Sequence, residues 1–397
     1  MITELAENIY WVGVVDWDLE AFEGHELTTH RGSTYNSYLI TDEKTVLVDA
    51  VWDPFADRFI ENIREIVDPA SIDIIISNHA EVDHSGALPA ILELAPNAEV
   101  IVSKRGIKIT KEMYNRDWDL KPAVTGDRID IGSQELLFFE AQMLHWPDSM
   151  FTYLTGSKVL MPNDAFGQHY ATEFRFNDQV DREELLYEAR KYYANIVHPF
   201  NKQVVRKIDE LLALELPVEM ILPSHGVLWR DNPKQIVELY RRWAAQEELE
   251  PRAVILYDTM WQATRKMAEA ICEGLASEGV PCKLINLAIR DRNDIVADIL
   301  TAKALIVGSP TFNGGILPGV APILEDLRGQ KYRNKIGAAF GSWGWSGEAA
   351  KYISERMAAA GIEIVAEPVR AKFTPNGDEL ENCRELGREV ADAIKED

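Results

Sequence analysis

The chain has 397 residues, 46% hydrophobic and 27% charged, enough for two or three domains with sizeable cores. Acidic residues outnumber basic ones 65 to 41, a formal net charge of −24. That balance argues against nucleic acid and against anionic membrane surfaces, both of which are held by clustered Lys and Arg.

Residues 1–15 carry no basic stretch followed by an apolar core, so no secretory signal is evident, and no apolar run approaches membrane-spanning length. The first half of the chain then shows short strand-like runs between long loops. Residues 35–40 and 45–51 predict a hairpin turning at Asp42-Glu43-Lys44. Further strands are expected at 72–77, 99–103, 135–141, 158–161 and 220–223. Helical patterns fall at 54–66, 87–94, 182–196 and 202–214. Beta-rich layers with helices outside are the natural architecture for this segment.

The most informative stretch follows the run 72–76. Ser77-Asn78-His79-Ala80-Glu81-Val82-Asp83-His84-Ser85-Gly86 places two histidines and two carboxylates within six positions. A core has no use for four such groups, because each unpaired one costs roughly several kcal/mol once buried. A metal ion is the usual reason to gather neutral imidazoles and carboxylates. Three more candidate ligands each follow an apolar strand: His145, Asp164 and His225. A lone histidine after a strand is ordinarily structural, and Asp164 alone reads as a turn or capping residue. Together, at strand ends that converge on one rim if the strands run alike, they extend the loop's set. Seven ligands exceed one tetrahedral zinc and suit two metals sharing a bridging carboxylate.

The charged stretch 246–251, closed by Pro251, reads as a linker between domains 1–249 and 250–397. After it, strands at 252–257, 282–287, 304–308, 335–340 and 363–366 alternate with helices at 264–277, 293–300, 320–327, 347–359 and 379–395. Five strands alternating with five helices describe a doubly wound parallel sheet, whose ligands bind beyond the carboxyl ends of the strands. Three loops there have suitable chemistry. Asp258-Thr259-Met260-Trp261-Gln262-Ala263-Thr264 offers hydroxyls and backbone N–H groups at a helix start, where a phosphate can sit. Ser309-Pro310-Thr311-Phe312-Asn313-Gly314-Gly315 and Gly341-Ser342-Trp343-Gly344-Trp345-Ser346-Gly347 offer glycines for close approach and aromatics for stacking on a flat ring. No basic residue in them would match a nucleotide 2′-phosphate, so FMN fits better than NADP. Three cysteines, Cys272, Cys282 and Cys383, make no Cys-x-x-Cys pair and cannot supply four thiolates. They read as small buried hydrophobes in a reducing compartment, and the expected location is the cytoplasm.

The pattern His79-x-Glu81-x-Asp83-His84 with His145, Asp164 and His225 resembles the metallo-β-lactamase superfamily. Followed by three flavodoxin-like loops, it resembles within that superfamily the flavodiiron proteins, over essentially the full length. Zinc hydrolases of the superfamily usually have histidine where this chain has Glu81, and the added oxygen favours iron. The resemblance implies a metallo-β-lactamase-like αββα sandwich followed by a flavodoxin-like doubly wound sheet. It implies one iron held by His79, Glu81 and His145, a second held by Asp83, His84 and His225, and Asp164 bridging. It also points to His25 and Tyr193 as hydrogen-bond donors at the open face, with His169 lining the same region and His30 and His198 structural. The activity implied is reduction of dioxygen to water, of nitric oxide to nitrous oxide, or both. Electrons would pass through FMN from a separate donor, a rubredoxin first and a reduced deazaflavin second. A head-to-tail homodimer or dimer of dimers is implied as well. Two rivals stay open: a zinc hydrolase with an inert second domain, and a flavin electron carrier with an inert first one. Iron analysis separates them.

Overall fold

The computed structural model describes residues 2–396, which divide into two compact units that part between Ala244 and Ala245. Among the described residues of the first unit, seven strands form one sheet, in chain order: Thr3–Ala6, Ile9–Trp11, Tyr38–Thr41, Thr45–Val48, Ile74–Ser77, Glu99–Ser103 and Leu120–Ala123. Five more, Arg128–Asp130, Glu135–Glu140, Met150–Leu154, Val159–Met161 and Met220–Ile221, form a second sheet facing it. The period of two explains the layering. Ile74 and Ile76 point between the sheets, against Phe138, Met150 and Val159. Ile75 points the other way, to Phe59 and Ile63 of the helix Ala56–Arg64 and to Leu88 and Ile91 of Leu88–Leu94. Each fully buried isoleucine contributes roughly 1.5–3 kcal/mol. Helices Asn201–Ala213 and Lys234–Ala245 flank the outer face of the second sheet, beside Phe139, Tyr153 and Leu160. The layers are therefore αββα.

The expected hairpin is present as Tyr38–Thr41 and Thr45–Val48, with Tyr38 opposite Val48 and Thr41 opposite Thr45. Tyr35 is not part of it. Ser33–Tyr35 pairs instead with Val14–Asp16, and the chain leaves that pairing at Asn36. The Asn36 amide donates to the carbonyls of Pro223 and Gly226, so the break holds the loop carrying His225. The helices Gly106–Tyr114 and Lys234–Ala245 and several short edge strands were not marked by the sequence periodicity.

The rim of the sandwich is tied by one buried carboxylate. Asp49 accepts from the Asn78 backbone N–H at 2.7 Å, from the Asn78 amide at 3.0 Å and from the Asn163 amide at 3.2 Å. Thr152 donates to the Asn78 carbonyl oxygen at 2.7 Å. Strand ends from both sheets are thereby fixed where the metal loop begins.

The second unit is a parallel sheet with strand order 2-1-3-4-5: Cys282–Asn286, Glu250–Tyr257, Ala302–Gly308, Ile336–Trp343 and Glu363–Ile364. Its first strand begins at Glu250, so the stretch 246–251 is in part strand rather than linker. The last strand is broken, because Val369–Lys372 also pairs in parallel with Ile336–Trp343 and extends its carboxyl end. Ala302–Gly308 is buried along its whole length, as a central parallel strand covered on both faces must be.

One expectation about the cysteines fails. Cys272, on the helix Ala263–Ser277, and Cys282, at the start of its strand, are joined in a disulfide with Cα atoms 6.1 Å apart. The helix returns its last turns over the strand it feeds, which brings residues ten apart together. Such bonds are uncommon in a reducing cytosol. Cys383 is buried as expected, and burial pushes its thiol up to about 12.

Candidate metal centre and cofactor loops

The metal loop starts where Ile74–Ser77 ends and closes with the single helical turn Val82–Ser85, which carries Asp83 and His84. In the second sheet, Glu135–Glu140 and Val159–Met161 are both antiparallel to Met150–Leu154, and Met220–Ile221 is parallel to Val159–Met161. Those three strands thus run the same way, and His145, Asp164 and His225 follow their carboxyl ends onto one rim. Gly226 has φ +74, and a Cβ there would lie 1.6 Å from Gln168 Oε1, so the turn after His225 excludes a side chain.

All seven expected ligands meet in two sets. His79, Glu81, His145 and Asp164 form one, and Asp83, His84 and His225 the other, with candidate ligand atoms within 4.8 Å of one another in each. In the first set, His79 Nε2 lies 3.1 Å from Glu81 Oε2 and 3.8 Å from Asp164 Oδ2. His145 Nε2 lies 3.3 and 3.4 Å from the same two oxygens. In the second set, His84 Nε2 is 3.1 Å and His225 Nε2 3.0 Å from Asp83 Oδ2. Asp164 Oδ1 stands 2.8 Å from His84 Nε2 and 3.6 Å from His225 Nε2. Two donors held at about 2.1 Å on one metal sit roughly 3.0–3.4 Å apart, close to these spacings. Asp164 turns one oxygen to each set.

Outer contacts orient the rings. His225 Nδ1 is 2.7 Å from the Thr34 carbonyl, which can only accept, so Nδ1 carries the proton and Nε2 presents its lone pair. His79 Nδ1 faces Asp148, whose oxygens lie 3.2 and 3.3 Å away; the same carboxylate accepts from the Ala80 N–H at 2.8 Å. Asp164 Oδ1 accepts from Tyr192 and Ser224 hydroxyls, each at 3.1 Å.

The electrostatics describe a centre short of cations. Asp83 Oδ1 and Asp164 Oδ2 are buried and accept no hydrogen bond. Burial alone would lower the imidazole pKa values, but the facing carboxylates overturn it. His79 is raised well above its usual value by Asp148 and Glu81, and His84 and His145 are each raised to about 9. Burial would raise Glu81, yet its bonds to His145 and His79 bring it down to about 2. Carboxylates gathered this closely around buried imidazoles suit divalent cations. The residues fit a dinuclear centre.

The second tier differs from expectation. Tyr193, expected at the open face, donates to Asn201 at 2.6 Å and packs on Tyr240 and Trp243. Its neighbour Tyr192 reaches Asp164. Adjacent helical residues point roughly 100° apart, so only one of the two can face the centre. His25, expected beside it, is exposed in the turn between Ala21–Phe22 and Leu27–Thr28, while Phe22 of the same hairpin packs its ring 5.7 Å from His225. His169 does line the region, 5.1 Å from His225 ring to ring, with Nδ1 2.9 Å from Ser33 Oγ. Burial pushes His169 well below the usual range, so it is neutral. Asp148, Ser224 and Tyr192 were missed by sequence reasoning; the only signal was a carboxylate three residues after His145.

In the second unit the three expected loops meet at the ends of strands one, three and four. Thr264 Oγ1 lies 2.9 Å from Ser342 Oγ, and Thr311 N donates to the Ser342 carbonyl at 2.8 Å. The helix Ala263–Ser277 starts after Gln262 in a left-handed conformation, with no side chain capping its first N–H groups. Thr259 Oγ1 is buried without a partner beside it. An uncapped helix start with a spare hydroxyl fits a phosphate. Phe312 and Gly315 close a tight turn over Asn313 and Gly314, both at positive φ. Trp261 and Trp345 stand 89% and 91% exposed, leaving two flat faces open at the loops. The loops fit a flavin phosphate.

Comparison with known proteins extends over both units. Residues 34–226 match the family model of the ODP family beta lactamase, and residues 255–387 that of flavodoxin. A nitric oxide reductase of Moorella thermoacetica is 48% identical over 392 residues, covering 98% of each chain. The rubredoxin oxygen:oxidoreductase of Desulfovibrio gigas superposes with TM-score 0.97 at 37% identity, over all of this chain and 99% of that one. A flavodiiron protein of Giardia intestinalis superposes with TM-score 0.95 at 30% identity, over all of this chain and 97% of that one.

Proposed function

This chain belongs to the flavodiiron proteins and is an oxidoreductase acting on nitric oxide or dioxygen, and on that premise we propose how its residues divide the task. Residues 1–249 hold two irons and residues 250–397 hold FMN. His79, Glu81 and His145 take one iron, Asp83, His84 and His225 the other, and Asp164 lies between them. The loops 258–264, 309–315 and 341–347 take the flavin. When bound, the irons supply electrons and open positions for a diatomic gas, and FMN relays electrons to them from a donor.

The chain's own groups set the conditions. Thr34 and Asp148 fix which nitrogen of His225 and His79 is free. Tyr192 and Ser224 hold Asp164 in place, each donating its hydroxyl proton to Oδ1. Phe22 and His169 form an apolar, uncharged wall beside His225 that limits water. The observation that carries this reading is Asp164, with one oxygen on each histidine–carboxylate set.

The electron donor is proposed to be a separate rubredoxin. Two of the three cysteines are bonded to each other, and no four-thiolate set exists in these 397 residues. Because the chain is strongly acidic, docking of an acidic donor would depend on local contacts rather than long-range attraction. A head-to-tail homodimer or dimer of dimers is proposed as the assembly, supported by the two bare tryptophans at the flavin loops. No described helix is long and apolar enough to cross a membrane, and the location proposed is the cytoplasm.

Anaerobic purification followed by iron, zinc and FMN analysis and stopped-flow reoxidation by each gas tests the assignment. About two irons and one FMN per chain, with rapid reoxidation, are expected. His79→Ala or His225→Ala should abolish reoxidation by gas while flavin stays bound. Zinc without flavin, or full activity in either variant, overturns it.

A further inference from the structure

Away from the metal ligands, the first unit buries a cation without a counterion. Arg175 is 5% exposed, with its guanidinium carbon 4.3 Å from the centroid of the Trp11 ring. One nitrogen donates to the Thr172 carbonyl, while Nε is buried with no partner at all. Among the described residues no carboxylate pairs with it; Glu173 acts only through space. Burial lowers its pKa to about 10, which still leaves it charged at neutral pH. Removing an unpaired cation from water is costly, and stacking on one indole offsets only part of that cost. The imbalance calls for an anion.

A cavity of about 290 Å³ adjoins this guanidinium. Trp11, Trp17 and Phe55 give it flat apolar walls, and Trp17 is 59% exposed, so the cavity is reached from solvent. Its charged lining is Arg58 and Arg175 against Glu173, two positive to one negative, which suits a single negative charge better than a phosphate dianion. Arg58 shares its charge with Glu61 at 3.4 Å, so the weight falls on Arg175. The Asn62 amide donates to the carbonyls of Val12 and Gly13.

We propose that this cavity is a binding site for a small planar monocarboxylate, with its charge against the Arg175 guanidinium and its flat body between the aromatic walls. The planar fork favours a planar oxyanion, and the volume admits a single aromatic ring with its carboxylate. The site is separate from the metal ligands but not remote. Phe55 packs 5.5 Å from Tyr35, whose ring stands 6.0 Å from that of His225. The proposal does not rest on the identity of the metals or of the gas.

Benzoate titration of the holo-protein, followed by calorimetry and by tryptophan fluorescence, tests it, with benzamide as the neutral control of the same shape. Saturable one-to-one binding of benzoate is expected, with benzamide weaker by at least about tenfold, or 1.4 kcal/mol. Arg175→Met should weaken benzoate by a similar factor. Should that variant fail to fold, Trp17→Ala, at an exposed wall, should weaken it several-fold. No saturation below about 10 mM, equal affinity for benzamide, or unchanged affinity in the folded variants overturns the proposal.

Discussion

Asp148→Asn is the sharpest probe of the metal centre. The carboxylate is 2% exposed, accepts from the Ala80 N–H at 2.8 Å and faces His79 Nδ1 at 3.2–3.3 Å. As an acceptor it requires Nδ1 of His79 to carry the proton, freeing Nε2 for iron. Asparagine keeps the shape but has one acceptor and one donor. The Ala80 N–H and His79 Nδ1 both meet Oδ2, so an asparagine oxygen there can still accept from both. The amide NH₂ then takes the place of Oδ1, 3.2 Å from Nδ1, and sets a donor against a donor. Two losses follow: the carboxylate charge that makes this a charge-assisted hydrogen bond of about 1.5–3 kcal/mol, and the firm hold on the orientation of the ring. Loss of such an outer partner typically lowers metal affinity about 10–100-fold, or 1.4–2.8 kcal/mol. The assay is iron per chain after equilibration with graded ferrous chelators, with flavin absorbance as a control for folding. Iron at the His79 position should be lost about 10–100-fold more readily, while the second iron and the flavin stay. Unchanged affinity for both irons would refute the idea that the Asp148 charge holds His79 in place.

The two adjacent tyrosines should separate. Tyr192→Phe removes a donor to Asp164 and should slow gas-driven reoxidation with FMN content unchanged, whereas Tyr193→Phe removes a bond to Asn201 and should cost about 1 kcal/mol of stability without touching the rate; the reverse pattern would restore Tyr193 to the site. Gly226→Ala puts a Cβ into Gln168 at φ +74, so thermal melting should show a loss of more than about 2 kcal/mol, and a wild-type melting temperature would contradict it. Metal loading should depend on pH with a definite sign. In the metal-free protein His84 and His145 are raised from 6.5 to about 9 by Asp164 with Asp83 and Glu81, against the effect of burial. Their protonated forms stabilise the metal-free protein fully below pH 6.5, and that contribution is lost as pH rises towards 9. Ferrous iron must displace those protons, so its apparent affinity should rise over the same interval while the metal-free protein's melting temperature falls. Affinity that is flat with pH would show that the imidazoles are already neutral.

The sequence by itself determined the candidate metal ligands and the order of the two folds. His79, Glu81, Asp83 and His84 were legible because one loop carries them all, and a buried loop cannot hold such groups without a cation. His145, Asp164 and His225 were legible because apolar strands end just before them, and like-directed strands finish on one rim. The alternating strands and helices after residue 250 specified the parallel sheet, since right-handed crossovers leave few other arrangements.

What the tertiary structure decided were choices that a local pattern cannot make. Tyr192 and Tyr193 have the same chemistry one position apart, and only the seating of their helix selects the one that meets Asp164. The Thr34 carbonyl that orients His225 belongs to a backbone 191 residues away and has no signature as a side chain. Cys272 and Cys282 looked unpaired until a helix folded back on its strand. Arg175 reads as one more surface arginine, and its unpaired burial beside an aromatic cavity exists only because Trp11, Trp17 and Phe55 come together from separate elements. Ligand type is a property of residues and their spacing; orientation, pairing and desolvation arise from distant segments packed against one another.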